Sequence, residues 1–457
     1  MVAAAAAQVT NPAIDPLRES IVMSLETHLG AKGNAVEGAT EDKAGLIKLE
    51  SPLLNDGEIQ TVQSSGRASK TLSTLYEVSS GPAGLRLAVE ALCQQAEAAV
   101  RSGAEILILS DLVKGGITAE KTYIPPLLAV GAVHHHLLAK KLRLRASMIS
   151  QTAQCWSTHH VACLIGFGAS AVHPYAALEA VRSWYYSAKT KSLMEQGKIP
   201  SISVGDALDN YRESIDGGLL KIMSKIGISL LSSYHAAQIF EAIGVGKDLI
   251  NLGFKGTVSR VGGLTVEELA NEVNSLHRAG FPETPLKNLQ NYGFVKYYTG
   301  KEYHHNSPPL TKLLHKALET KDINSYKLFQ ESLRTAPLST LRDLLDIKSD
   351  REPIPLDQVQ PLEEIVARFC TGGMSLGALS REAHETLAIA MNRFGGKSNS
   401  GEGGEDVLRF SPINDVTPEG TSPSFPHLKG LRNGDLASSK IKQVAQPPAY
   451  LKIPHPT

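Results

Sequence analysis

Glu105-Ile-Leu-Ile-Leu-Ser-Asp111 is a compact apolar run of strand length, and the residues before it carry a different period. Apolar side chains at positions 85, 88, 92, 96 and 99–100 recur at helical spacing, with Gly103 as a natural stop. The alternation continues outward from this pair. Residues 126–140 read as helix, 144–149 as strand, 157–165 as helix, 169–172 as strand and 175–196 as helix. Helix follows over 218–226, strand over 228–232 and helix over 267–278. Apolar strands alternating with amphipathic helices predict an α/β fold with a largely parallel sheet covered on both faces.

The flanks are less regular. Asn11-Pro-Ala-Ile-Asp-Pro16 is a turn-rich entry, because each proline pushes the residue before it toward extended geometry. Ile21-Val-Met-Ser-Leu25 is a short apolar element, and the polar, glycine-dotted run to Asp56 reads as loop. Downstream, 280–309 is a polar connection and 310–345 carries helical segments. Ser349-Asp-Arg-Glu-Pro-Ile-Pro355 reads as a linker, and the last twelve residues hold four prolines and no period. The expected organisation is a leading segment over 1–65, an α/β domain over 66–348, a second domain over 349–445 and a divergent tail over 446–457.

Composition excludes several classes. The 457 residues balance 46 basic against 46 acidic side chains, which gives no electrostatic reason to expect nucleic acid or an acidic membrane as partner. No run of 18 apolar residues occurs, and the short apolar stretch 2–7 lacks the basic flank of a secretory signal. Four cysteines, at 93, 155, 163 and 370, suit a reducing compartment and read as buried thiols. Their spacing is that of neither a zinc ribbon nor an iron–sulfur motif. In His134-His-His136, His159-His160 and His304-His305, helical neighbours diverge by about 100° and cannot converge on one metal. No metal site is expected.

Two glycine-rich runs carry the candidate chemistry. Thr371-Gly-Gly-Met-Ser-Leu-Gly377 has three glycines in seven residues, which let backbone N–H groups approach a ligand without Cβ interference. Helix-like residues 363–369 precede it, and Ser380 follows as a predicted N-cap for a helix over 381–394. The arrangement fits either a tight structural turn or a cradle for an anionic or planar cofactor. Gly395-Gly-Lys-Ser-Asn-Ser-Gly-Glu-Gly-Gly-Glu-Asp406 has five glycines in twelve residues and cannot pack a core of its own. Its Glu402 and Glu405 suit gating or proton handling, or are simply solvated charges. A Walker A loop is excluded because position 391 is methionine. Gly166-Phe-Gly-Ala-Ser-Ala171 matches a dinucleotide fingerprint, but it joins a helix to a strand and reads as a helix C-terminal turn. Asp111, at a strand end where α/β sites collect functional groups, reads as a cap or structural ion pair.

Several runs together resemble glutamate synthases, most closely the ferredoxin-dependent type. They are Ala7-Gln-Val-Thr-Asn-Pro-Ala-Ile-Asp-Pro-Leu-Arg-Glu19, Thr152-Ala-Gln-Cys155, Leu164-Ile-Gly-Phe-Gly-Ala-Ser170, Lys221-Ile-Met-Ser-Lys-Ile-Gly-Ile-Ser-Leu-Leu-Ser-Ser-Tyr234 and Val261-Gly-Gly-Leu-Thr265. Phe369-Cys-Thr-Gly-Gly-Met-Ser-Leu-Gly377, Asn399-Ser-Gly-Glu-Gly-Gly-Glu-Asp406, His427-Leu-Lys-Gly-Leu-Arg-Asn-Gly-Asp435 and Lys440-Ile-Lys-Gln-Val-Ala445 continue the likeness. The resemblance implies a central parallel-sheet α/β domain followed by the first strands and helices of an incomplete (β/α)8 barrel that binds FMN. It implies formation of L-glutamate from 2-oxoglutarate and glutamine-derived ammonia, with FMN as hydride donor and ferredoxin feeding electrons through a 3Fe–4S cluster. The plastid stroma or cytoplasm is the location it suggests.

Carried over by position, Met374, Ser375, Leu376 and Gly377 fall in the loop near FMN. Glu402 and Glu405 fall in the loop that lines the ammonia route. The departures matter equally. No cysteine nucleophile follows Met1, the cluster cysteines belong downstream of Ala445, and Asp111-Leu112 stands where the family has Asp-Arg. A (β/α)8 barrel needs about 250 residues, far more than follow Ser349. The abrupt change at Gln446-Pro-Pro is what a truncated or mis-spliced product would show. The expectation is a fragment of an oxidoreductase of glutamate synthesis, inactive by itself; the competing expectation is a non-catalytic structural or interaction module that bridges partner domains.

Overall fold

In a computed structural model, which describes residues 2–4, 22–32, 45–113, 115–284 and 291–443, Ile106–Ser110 is an inner strand of a four-stranded parallel sheet. The strand order is Ser69–Ser73, Ile106–Ser110, Ser147–Gln151 and Ala171–His173, so each strand lies beside its sequence neighbour. The register sets Ser69 opposite Ile106, Ile106 opposite Ser147, and Ile149 opposite Ala171. A single bridge from Leu53 to Val172 extends the sheet by one partial strand.

The uninterrupted apolar run has a physical cause. Alternate side chains of a strand point to opposite faces, and both faces are buried. Leu107 and Leu109 join the main core with Leu85, Val89 and Leu92 of the helix Gly81–Arg101 and Leu128, Val133 and Leu137 of the helix Pro126–Ala139. Ile106 and Ile108 enter a second cluster with Leu29, Leu54, Ile59 and Val62. That second cover comes from the antiparallel strands Thr27–Leu29 and Ile47–Leu49 and the helix Asp56–Ser64. Each such side chain contributes about 1.5–3 kcal/mol relative to exposure.

The chain divides into two compact units, residues 1–290 and 291–457. The first unit also holds a parallel pair, Phe240–Val245 with Val258–Leu264, to which Val2–Ala4 adds antiparallel. In the second unit, Cys370–Gly373 and Lys397–Asn399 pair in parallel across the helix Arg381–Phe394, a βαβ unit. Ile441 bridges to Asn399, also in parallel, starting a third strand position. The core here is small: Ile389, Ile413, Phe425, Leu428, Leu431 and Ala437. The helices Pro308–Thr320 and Ile323–Arg334 meet at Lys321, whose φ is 50°, and Asp322 caps the second by accepting from Asn324 and Ser325 N–H.

Several expectations need correction. The strand expected over 228–232 is a bridge from Leu230 to Ser24 followed by a single turn, Leu231–Tyr234. The strand expected from 144 begins at Ser147, after a 3-10 turn over Arg143–Arg145. The helix expected over 175–196 breaks at Ser187, which is extended and caps a new helix through Thr190 N–H. The helix expected from 218 starts at Val204, where Ser203 and Asp206 form a capping box. The run to Asp56 is not simply loop, since it contains the strand Ile47–Leu49 and ends at Asn55, which caps the helix Asp56–Ser64. The second glycine run contains the strand Lys397–Asn399. Residues 5–21, with the turn-rich entry and Ile21, and the tail 446–457 lie outside the described residues.

Candidate functional site

The two glycine runs meet. Met374 N–H donates to the Asn399 carbonyl at 2.9 Å, and Asn399 N–H donates to Thr371 Oγ1 at 3.1 Å. The strand Cys370–Gly373 thus delivers 374–377 against the loop that leaves Asn399. Asn399 Oδ1 then accepts from Gly401 N–H at 2.9 Å, which turns that loop back.

Glycine is favoured at the contact, by the positive φ of Gly401 and by crowding at Gly403. A Cβ on Gly403 would stand 3.0 Å from Ser375 Oγ and 3.4 Å from Leu376 N. Gly401, at φ +61°, would place one 3.6 Å from Ser375 N. Without those atoms the space before the Ser375 and Leu376 N–H groups stays open. Neither N–H has a partner among the described residues, while Gly377 N–H is taken by Ser375 Oγ and Ala378 N–H by the Ser375 carbonyl. Two successive unpaired donors in a glycine-walled recess suit the oxygens of an anionic or carbonyl-bearing cofactor. Met374 is buried, Leu376 half-buried, and Ser375 and Gly377 exposed.

The carboxylates diverge in role. Glu402 is exposed and makes no hydrogen bond or ion pair among the described residues. Glu405 is not a solvated charge, for its side chain is buried. Its Oε2 accepts from Lys442 Nζ at 2.8 Å and its Oε1 from Ser439 N–H at 3.0 Å, with Arg409 Nη2 at 3.5 Å. Burial pushes its carboxyl upward, but Lys442, Ser439 and Arg409 together hold it below its ordinary value.

Beneath the loops lies a buried polar group that sequence reasoning missed. Arg409 is fully buried and donates Nε and Nη2 to the Ala437 carbonyl at 2.9 and 2.8 Å. Its Nη2 also lies 2.8 Å from His384 Nδ1, and His384 Nε2 lies 2.8 Å from the Met374 carbonyl. Glu385, buried beside His384, takes Arg381 Nε at 2.8 Å and His427 Nε2 at 2.5 Å. The readable trace was the spacing of four in Arg381–Glu385 and Glu405–Arg409. Ser380 does cap its helix, accepting from Ala383 N–H.

In the first unit the strand ends carry a second polar cluster. Asp111 is buried and accepts from Thr152 Oγ1 at 2.7 Å and Ala153 N–H at 3.1 Å. It clamps the loop after the next strand, so it is structural but neither a helix cap nor an ion pair. Burial raises its carboxyl despite those donors and the Tyr175 hydroxyl. Ser110 Oγ donates to Gln151, whose Nε2 meets His173 Nδ1 at 3.0 Å, and His173 Nε2 reaches Asp56 at 3.0 Å. Gly166 ends its helix and Gly168 has φ +118°, the helix C-terminal turn expected of that fingerprint.

The histidine runs disperse. His134 Nδ1 accepts from Arg143, His136 meets Glu97, and His304 donates to the Gly293 carbonyl. Cys93, Cys155 and Cys163 are buried and Cys370 is exposed, so the expectation of buried thiols fails at the last. Burial pushes Cys93 and Cys155 up to about 12 and Cys163 up to about 11, which makes them poor thiolates. With Cys370 alone at the surface, these four do not fit an iron–sulfur cluster. Among the described residues no group of three His, Cys, Asp or Glu side chains could hold a metal, and no helix is long and apolar enough to cross a membrane.

A parallel-sheet unit followed by a βαβ unit defines an α/β protein. Comparison with known proteins supplies the family. Residues 3–246 match the glutamate synthase central domain, and residues 304–447 match the conserved region in glutamate synthase. The chain belongs to the glutamate synthase family. The ferredoxin-dependent glutamate synthase of Pyropia yezoensis is 54% identical over 439 residues, covering 96% of this chain and 28% of that protein. Ferredoxin-dependent glutamate synthase 2 of Synechocystis is 55% identical over 450 residues (96% and 29%), and the chloroplastic enzyme of Oryza sativa subsp. japonica 53% over 441 (96% and 27%). The chain spans less than a third of those relatives' length. Among solved structures, the flavin-binding domain of baker's yeast flavocytochrome b2 aligns at 12% identity over 52% of this chain and 46% of that one. The TM-score is 0.28.

Proposed function

We propose that this chain carries the central domain and the opening of the flavin site of a ferredoxin-dependent glutamate synthase. The reaction served is formation of L-glutamate from 2-oxoglutarate and ammonia released from glutamine. The observation that carries this reading is the recess between the two glycine loops, with unpaired N–H groups on Ser375 and Leu376, inside the region that matches the family's conserved segment. Ser375 and Leu376 would hold FMN there, and the reduced flavin would supply hydride chemistry, with ferredoxin as the electron source.

The chain's own residues bind and orient. The Ser375 and Leu376 N–H groups would donate to cofactor oxygens, and the half-buried Leu376 side chain would offer an apolar contact to a planar ring. Glu405, fixed by Lys442 and Ser439, ties the second loop to the strand position at Ile441. Glu402 is the carboxylate left accessible on that loop, suited to receive or pass a proton along an ammonia path.

Cys370–Gly373 is paired on one edge only among the described residues, so the recess has one wall fewer than a closed barrel would give it. Binding without turnover is therefore expected of the chain alone. Titration with FMN, followed by quenching of flavin fluorescence, should saturate at one flavin per chain. No 2-oxoglutarate-dependent reoxidation should follow photoreduction. Absence of quenching at millimolar FMN would favour the non-catalytic interaction module; reoxidation by 2-oxoglutarate would refute the expectation of inactivity.

A further inference from the structure

We propose that His384 is a positioning residue that orients the Met374–Ser375 peptide, and that Arg409 holds His384 in the single tautomer this requires. The proposal rests on the flavin reading of the loop for its purpose, though not for its geometry.

Hydrogen-bond polarity sets the tautomer of His384. A guanidinium has only donors. Arg409 Nη2, 2.8 Å from His384 Nδ1, therefore makes Nδ1 the acceptor. The ring proton must then sit on Nε2, which donates to the Met374 carbonyl at 2.8 Å. Arg409 cannot turn away, because Nε and Nη2 both engage the Ala437 carbonyl and the side chain is fully buried.

The consequence lies one bond further on. The peptide unit is planar and trans, so its C=O and N–H point in opposite directions. Fixing the Met374 carbonyl fixes the Ser375 N–H, the first of the two unpaired donors in the recess. Met374 N–H, in the preceding peptide unit, is held by the Asn399 carbonyl at 2.9 Å, so the chain is anchored on both sides of the Met374 Cα. A histidine protonated on both nitrogens would turn a donor toward Arg409 and lose the contact. His384, itself fully buried, thus acts through the peptide.

Two substitutions separate this role from simple space filling. His384→Gln keeps one acceptor and one donor on an amide of similar reach; H384L keeps bulk and loses both. FMN affinity should stay within about threefold of wild type in H384Q and fall about tenfold or more in H384L, the effect of one hydrogen bond of roughly 1.4 kcal/mol. Read without flavin, the Ser375 amide resonance should move in H384L and stay in H384Q. In the wild-type chain, imidazole 15N shifts should show the Nε2–H form alone, a measurement that stands even if H384L does not fold. A proton on Nδ1, an unmoved Ser375 amide in H384L, or equal loss of affinity in both variants overturns the proposal. If wild type binds no FMN, the flavin reading fails, and the two NMR readouts still decide the positioning role.

Discussion

Gly168→Ala tests the packing logic of the first unit at its tightest point. Gly168 follows the helix Thr158–Gly166 with φ +118°, where an L side chain is strained. Its added Cβ would stand 2.5 Å from His134 Nδ1, 2.9 Å from Cγ and 3.2 Å from Cβ. The ring cannot swing aside cheaply, because Nδ1 accepts from Arg143 Nε at 3.0 Å. Arg143 Nη2 in turn donates to the Gly168 carbonyl at 2.8 Å. Backbone strain costs about 1–2 kcal/mol and overpacking about 1–3 kcal/mol, so about 2–5 kcal/mol of stability should be lost. Both tryptophans, Trp156 and Trp184, lie in residues 1–290, so intrinsic fluorescence reports this unit alone. With a urea slope of about 1–3 kcal/mol/M, the midpoint should drop by about 1 M or more. A loss below about 1 kcal/mol would show that the turn relaxes and that glycine there is not demanded by His134.

The same cluster predicts acid sensitivity. Burial, then the Arg143 charge, lowers His134 from 6.5 to about 3, so the unfolded chain binds a proton that the folded one refuses. Stability from this group is present above the unfolded value and lost as pH falls from about 6.5 toward 3, amounting to about 2 kcal/mol by pH 5. Urea midpoints of wild type should fall more steeply between pH 7 and 5 than those of His134→Gln, and parallel curves would refute this. Under native conditions a thiol reagent should titrate Cys370 alone, with Cys93, Cys155 and Cys163 reacting only after denaturation. Gly403→Val should weaken FMN binding about tenfold or more, because it fills the recess before Leu376 N; its tryptophan-monitored stability should be unchanged.

How much of this was legible depended on which force set each element. The strand Ile106–Ser110 and the helices beside it were readable because two buried faces demand an apolar run and one buried face a helical period. The strands Phe240–Val245 and Val258–Leu264 escaped notice because their packing needs glycine, which weakens any strand signal. A Cβ on Gly263 would fall 2.5 Å from the Gly244 backbone. The start of the helix at Val204 was in principle readable from Ser203 and Asp206, but glycines at 205, 217 and 218 diluted the period. At the site, the glycine runs announced a recess, whereas His384 and Arg409 meet from 25 positions apart. No local pattern encodes such a meeting. Glu405 looked solvated because its partners, Ser439 and Lys442, arrive from a later strand position.

The buried Arg409 reaches beyond the loop it supports. In the second unit the apolar cluster is small, whereas Arg409, His384, Glu385 and Glu405 have side chains shielded from water. Removing one partner of such a group costs about 3–5 kcal/mol, while trading apolar side chains of like volume costs under about 1.5 kcal/mol. Tolerance to substitution should therefore run opposite to the usual order in this unit. A saturation library should accept many exchanges at Ile389 or Leu428 and almost none at Arg409. Designers seeking to complete the sheet with new strands would do well to treat those polar positions as the fixed frame and the oily ones as the adjustable part.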